Sequence, residues 1–521
     1  MLSPPLMGGF RYIFLIFAVT LATAGCPETS PRKIETSCDL LDDALVFAHT
    51  RHLTRTTNAE RFTRFAGALN RLYTQSGLPI VPSTPKSPDE LAEICKTARM
   101  DFRNSRFKSF SEETLVLSIL DIYLRSLDHH SRVEAREEDI EVPAMLGLRI
   151  DLQHMPPRII EVIAGSAAHR AGIPENGLIL SINQRDTTQL SPKDFAALKD
   201  ELAPSNESLE LVIEKQDGVV RTYNLAIEFF VESAVSSKLI PTDTGVVGYI
   251  RLRRFNRFED KRALAEAVKS YQDASSVVSA LILDLRDNPG GSVEGAAEVA
   301  NHFVLNGGVF ARFSDASGQV IHEEEFPYRV SRTWDGPLIV LVNWATRSAA
   351  ELLAAALQDY GAVVVGESTF GQGTSHTGFD LGKEFGLNGK AQITDAYNHR
   401  PSGATTQLDG VEPDIKLNLS KRDPDAELFR ESQYKSPNAI ARPTYKIEPL
   451  RGFDSNIRTR SKKFLDGLRK FHGKLASKPT GKSKKKRKTK AYSNDLGIDT
   501  AAKIGEYWCS LENPDRCKAP R

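Results

Sequence analysis

The sequence predicts a multidomain α/β protein, and three observations carry that prediction. The chain has 521 residues, more than a single hydrophobic core usually organises. From about residue 245 to 417, unbroken apolar runs alternate with apolar-faced helical stretches, the pattern of a sheet covered by helices. Two segments of different texture precede it, one with helical period and one of short strands separated by turns. A net charge of +1 argues against a general polyanion binder, so no nucleic-acid partner is expected.

The N-terminus reads as a targeting segment. Arg11 precedes an apolar run, Tyr12 to Leu21, too short for an ordinary membrane span and of the length of a signal-peptide core. Two cleavages fit the residues after that run. Ala22-Thr23-Ala24 is a small-x-small site, whereas Ala24-Gly25-Cys26 resembles a bacterial lipobox, in which Cys26 would be acylated. Either leads to an exported protein of the periplasm or cell envelope, and the second adds a lipid anchor to the membrane. With Cys26 set aside, four cysteines remain to pair in an oxidising compartment, Cys509 with Cys517 and Cys38 with Cys95 by proximity.

A helical region comes next. Asn58 can cap a helix whose positions Phe62, Phe65, Leu69 and Leu72 keep helical period. Ser87-Pro88-Asp89-Glu90 is a capping box with proline at the first helical position, and a third helix is expected from Ser111 towards Leu127. These helices are read as packing surfaces without chemistry.

From about Met145 to Phe230 short strands are expected at Gly147–Ile150, Ile159–Ile163, Leu178–Ile182, Leu209–Ile213 and Tyr223–Ile227, with one helix carrying Phe195, Leu198 and Leu202. The core then offers strands at Val246–Leu252, Ala280–Leu285, Leu338–Val342 and Ala362–Val365, with helices at Ala296–Val304 and Ala349–Leu357. In the tail, the basic run around Lys484–Lys488 carries no interleaved aromatics and is read as a solvated linker. The final segment, with Trp508, Cys509 and Cys517, is expected to be a small disulfide-closed appendage.

Three stretches carry a resemblance. GESTFGQG (366–373), VNWATRSAAELLAAAL (342–357) and LILDLRDNPGG (281–291) together resemble the core of the carboxy-terminal processing, or tail-specific, serine proteases. The segment Gly165 to Gly172, with the strands around it, resembles the turn of PDZ domains, although Ala167 stands where proline is usual. The resemblance implies a ClpP/crotonase-like α/β protease core with an inserted PDZ domain. The expected division is 1–25 signal peptide, 26–142 helical region, 143–230 PDZ domain, 231–420 protease core and 421–521 C-terminal extension.

In such an enzyme Ser348, at the start of an apolar helix after a buried strand, is the nucleophile. The implied oxyanion donors are the Ala349 N–H and one from the Gly290/Gly291 pair. The family's base is a lysine between two glycines, and here that position is Gln372. Glutamine has no nitrogen of useful basicity. Four residues on, where the family has a glutamine, stands His376. Positions four apart on an extended strand share a face, so His376 becomes the candidate base and Gln372 its orienting partner. Arg347, beside the nucleophile, holds a position where a small residue is usual. A PDZ domain adds an extended peptide to an open sheet edge, so Gly147, Leu148, Ile150 and Phe195 are the candidate peptide-binding residues. Proteins or peptides are the expected partners. No cofactor is implied. Leu127-Asp-His-His-Ser131 also resembles a family segment, and a metal site at His129 and His130 is not expected, because neighbouring side chains on a strand or helix diverge and no third ligand stands at suitable spacing. Two readings stay open: a serine endopeptidase acting on protein C-termini, and a pseudoprotease that binds peptides as a scaffold.

Overall fold

The computed structural model describes residues 36–512 with breaks, the longest at 135–146, 191–207, 420–429, 450–464 and 474–494. The leader with Cys26, and Phe195 and Cys517, lie outside the described residues.

Four helices come first: α1 (Ser37–Arg51), α2 (Asn58–Ser76), α3 (Pro88–Asn104) and α4 (Glu112–Leu127), the last leading into β1 (Arg132–Glu134). Their starts obey side-chain chemistry. Ser87 caps α3 with Pro88 in its first turn, and Ser111 caps α4. At α2 the cap is Thr57 rather than Asn58, its hydroxyl accepting from the Glu60 N–H. The helices bury Phe65, Leu69, Leu91, Phe102, Leu115 and Tyr123 against one another. A disulfide joins Cys38 to Cys95 across 57 residues, and closing a loop of that length disfavours the unfolded chain by roughly 4 kcal/mol. Cys509 is also disulfide-bonded.

An antiparallel sheet of β2 (Leu148–Asp151), β3 (Arg158–Val162), β4 (Leu178–Ile182), β6 (Leu209–Glu214) and β7 (Val220–Leu225) comes next, with β5 (Arg185–Asp186) on β4 and a short helix α5 (Ala167–Arg170). Ile159, Ile179, Leu211 and Ile213 form its core.

The main sheet contains β8 (Val235–Pro241), β9 (Val246–Leu252), β10 (Val278–Asp284), β13 (Leu338–Val342), β14 (Val363–Gly366) and β17 (Ile415–Lys416), in the order β17-β14-β13-β10-β9-β8. All pairs are parallel except β8 with β9. Both faces are covered, which is why its strands are continuously apolar. Leu281 and Leu283 of β10 face the cluster with α6 (Phe258–Asp273), α7 (Val293–Asn301) and α8 (Ala349–Asp359), while Ala280 and Ile282 face the other side.

That other side is covered by α10 (Leu496–Glu512), which buries Ile498, Ala501, Ala502, Ile504 and Trp508 against β10 and β13. The expected terminal appendage is therefore a layer of the core. At roughly 1.5–3 kcal/mol for each large apolar side chain removed from water, this burial outweighs the pull of the polar chain before it.

A second sheet is built on the long strand β16 (Lys390–His399). It pairs with β1 and β11 (Val309–Ser314), β11 pairs with β12 (Val320–Glu325), and β15 (Thr374–Asp380) runs into α9 (Leu381–Phe385) on the opposite edge of β16. Ala391 and Ile393 of β16 pack into the helical cluster. This sheet therefore fixes the helical region, and the turn between α4 and β1, against the main domain.

Candidate active site

Ser348 sits where β13 turns into α8. Every residue of β13 is buried, as is all of α8, so neither end of the turn can shift cheaply. The turn is held from inside: Thr346 Oγ1 donates to the Leu285 carbonyl at 2.9 Å, and the Arg347 N–H donates to the Asn288 carbonyl at 3.1 Å. Ser348 itself has φ 56° and ψ −128°. For a residue with a Cβ this conformation costs on the order of 1–3 kcal/mol, and packing on both sides holds it. Arg347 is exposed, with its guanidinium over the Phe370 ring at 5.9 Å.

The 287–291 loop lies against this turn. Buried Asn288 donates from Nδ2 to the Leu252 carbonyl and accepts the Gly290 N–H at 2.8 Å. Gly290 has φ +100°, and a Cβ there would stand 2.9 Å from the Arg347 carbonyl oxygen and 3.0 Å from both the Ala349 nitrogen and Ser348 Cβ. The expectation for the Gly290/Gly291 pair is thus narrowed. Gly290 allows close approach, but its N–H is already bonded, which leaves Gly291 as the donor of the pair.

A residue the sequence reading passed over joins the two halves of the site. Glu351 is fully buried in the first turn of α8. Its Oε2 accepts the backbone N–H groups of Ser348 and Gln372, both at 2.9 Å. Its Oε1 accepts the Gly371 N–H at 2.7 Å and the Thr369 hydroxyl. Burial pushes this carboxyl up to about 7, while the four donors pull it back. Gln372 is buried beside it, and the next residue, Gly373, passes so close to Gln407 that a Cβ would lie 2.1 Å from the Gln407 nitrogen.

His376 is arranged differently from the expectation. β15 begins at Thr374, so Gln372 is not on the strand and the two side chains are not on one continuous strand face. The ladder to β16 also shifts register between Ser375 and His376. No hydrogen bond joins His376 to Ser348 among the described residues, and His376 Nε2 is buried without a partner. Burial, with His130 nearby, pulls this imidazole down to about 3, which keeps it neutral.

Around His376 lies a second cluster. The rings of His130 and His376 are 5.0 Å apart, and those of His129 and His130 are 3.9 Å apart. His129 Nε2 and His130 Nε2 each lie 3.1 Å from Glu431 Oε2. Burial would raise the Glu431 carboxyl, but its two histidine contacts hold it down to about 2. The expectation that neighbouring histidines diverge fails because they occupy a bend rather than a strand or helix. Asp128 shapes that bend by accepting the His130 and Ser131 N–H groups at 2.6 and 2.9 Å. The third group is Glu431, some three hundred residues away, which local spacing could not reveal. The ligand atoms of these three residues lie within 4.8 Å of one another. Glu431 is tied to the site loop, since its N–H donates to the Phe370 carbonyl, and the Phe370 N–H donates to the Thr346 carbonyl.

Gly147, with φ +72°, precedes β2, and Leu148 and Ile150 pack on the small sheet's core. Among the described residues β2 has one neighbour, β3, so its other edge is unpaired.

Residues 246–417 match the model of peptidase family S41, and residues 138–214 match that of the PDZ domain. The carboxyl-terminal-processing protease of Picosynechococcus sp. is 34% identical over 270 residues, covering 49% of this chain and 60% of that protein. The carboxy-terminal-processing protease of Bartonella bacilliformis is 27% identical, covering 58% of this chain and 70% of that one. The carboxy-terminal processing protease CtpA of Bacillus subtilis is 24% identical, covering 80% and 89%. The match thus spans about 60% of the Picosynechococcus relative's length.

Proposed function

We propose that this chain, which carries an S41 peptidase domain preceded by a PDZ domain, is a serine-type endopeptidase cutting the C-terminal regions of other proteins. Its relatives named as carboxy-terminal processing proteases support that substrate class. The observation that carries the chemistry is the forced backbone of Ser348 at the start of α8, with Gly290 packed against it and Glu351 binding it to Gln372.

In this reading Ser348 Oγ attacks the scissile carbonyl. The Ala349 and Gly291 N–H groups, at the positive end of α8, receive the negative charge that develops on the carbonyl oxygen. The leaving amine departs, and water then releases the acyl group from Ser348. The proton acceptor is His376, with Gln372 orienting it or the substrate. Its neutral, unpartnered Nε2 supports this role, and substrate has to bring it to Ser348, since catalytic contacts often form only in the complex. A base held near 3 gives little driving force at neutral pH, so turnover is slow.

Substrate enters as an added strand on β2, its terminal carboxylate near Gly147 and its side chains over Leu148, Ile150 and Phe195. The leader and the Cys38–Cys95 disulfide support export to an oxidising envelope compartment, with Cys26 as lipid anchor. The test uses a protein with an unstructured apolar tail, once with a free C-terminal carboxylate and once amidated. Cleavage of the free form, weaker cleavage of the amide and none by Ser348→Ala support the reading. Tail binding without Ser348-dependent cleavage overturns it and leaves a peptide-binding scaffold.

A further inference from the structure

We propose that His129, His130 and Glu431 hold one divalent transition-metal ion of the zinc class, with His376 as the fourth donor. The first three residues come from opposite ends of the chain, yet both Nε2 atoms converge at 3.1 Å on one carboxylate oxygen. Zinc bonds of about 2.0–2.2 Å in a tetrahedral site set donor atoms roughly 3.3–3.5 Å apart. The observed 3.1 Å contacts, within a cluster no wider than 4.8 Å, need to open only by a few tenths of an ångström to admit such an ion. Imidazole nitrogens with a single carboxylate suit zinc and its neighbours, not the oxygen-seeking magnesium or calcium.

Two further observations point the same way. Glu431 is 1% exposed, and its ion-pair partners among the described residues are these two histidines alone, with no lysine or arginine. A dication satisfies such a buried carboxylate better than imidazoles that are largely neutral at neutral pH. His376 Nε2, independently, is buried with no partner, and its ring stands 5.0 Å from that of His130. The bend is also built as a support. Asp128 accepts the His130 N–H, and its other oxygen is held by Ser131 Oγ at 2.5 Å and His52 Nε2 at 2.7 Å. An ion here would clip the turn after α4 to residue 431, and through Phe370 to the turn bearing Ser348.

The test is titration of the full chain, freed of any histidine tag and stripped with a chelator, with Zn2+ alone. Calorimetry and metal analysis after gel filtration give affinity and stoichiometry. The expected result is one Zn2+ per chain and a higher melting temperature. His129→Asn, His130→Asn and Glu431→Gln should each weaken binding by more than the ~100-fold that loss of a supporting contact costs, and His376→Ala by at least ~10-fold. Far-UV circular dichroism checks that the variants fold. Should one misfold, Co2+ bound to the wild type decides, through the intense visible absorption of a four-coordinate nitrogen-oxygen site. Absence of stoichiometric Zn2+, binding unchanged in His130→Asn, or a six-coordinate Co2+ spectrum overturns the proposal. The cluster would then be two imidazoles clamping a carboxylate and nothing more.

Discussion

Replacing Glu351 by glutamine alters one atom and one charge at the joint between Ser348 and Gln372, and its consequences can be worked through in numbers. Burial raises the wild-type carboxyl from an ordinary 4.5 to about 7. At about 1.4 kcal/mol for each pH unit, that difference corresponds to roughly 3 kcal/mol. Between these pH values the folded protein holds a proton that the unfolded chain has released. The contribution of Glu351 to stability is therefore complete below pH 4.5 and lost as pH rises through about 7. The glutamine does not titrate. Its NH2 would settle on the Oε1 side, because Thr369 Oγ1 can accept as well as donate. The Gly371 N–H then faces a donor, a mismatch costing about 1–3 kcal/mol at every pH. At pH 4.5 Glu351→Gln should accordingly be the less stable protein. Near pH ~7.5 the wild type's loss of roughly 3 kcal/mol offsets the mismatch, and the variant equals or exceeds it. Urea unfolding followed through buried Trp334 at the two pH values measures this. A stability difference that stays constant between them would refute the reasoning.

Three other perturbations arise from the same geometry. Gly290→Ala drives a methyl group into the Arg347 carbonyl and the Ala349 nitrogen at 2.9 and 3.0 Å. It should cost about 1–3 kcal/mol in urea unfolding and slow acylation of Ser348 by ~100-fold, as displacements near 1 Å do. His376→Ala should reduce acylation about 10²- to 10⁴-fold. Since His376 is held near 3, the acid limb of the wild-type rate profile should lie far below the ordinary 6.5; a limb at 6.5, or a full rate in the variant, would remove His376 as base. Gly505→Ala on α10 brings a Cβ 2.7 Å from Ala280 Cβ. Overpacking of about 1–3 kcal/mol should exceed the ~1 kcal/mol that alanine gains over glycine in a helix, giving a lower urea midpoint; a higher midpoint would mean that α10 does not press on β10.

What the sequence made legible was local. Unbroken apolar runs at Val246–Leu252 and Leu338–Val342 coincide with β9 and β13, because strands covered on both faces need no polar alternation. Caps at Ser87 and Ser111 start helices by chemistry that acts within four residues. The turn bearing Ser348 was readable for the same reason, as a buried strand leading directly into an apolar helix. Long-range contacts were hidden. Glu351 looks like an ordinary first-turn acid until the 369–372 loop closes over it, and Glu431 meets His129 across three hundred residues. The shared face expected of Gln372 and His376 failed because the strand starts two residues after Gln372. The α10 layer had a signal that went unused: Ile498, Ala501, Ala502, Gly505 and Trp508 recur at helical spacing, behind a basic run that drew attention to its charge.

The central claim is that the backbone around residue 348 activates one hydroxyl among the many in the chain. Intact-protein mass spectrometry after treatment with a fluorophosphonate, combined with peptide mapping, measures this directly. The account predicts a single phosphonyl adduct on Ser348, absent in Ser348→Ala and in heat-unfolded protein. An unlabelled native chain, or an adduct on any other serine, contradicts it.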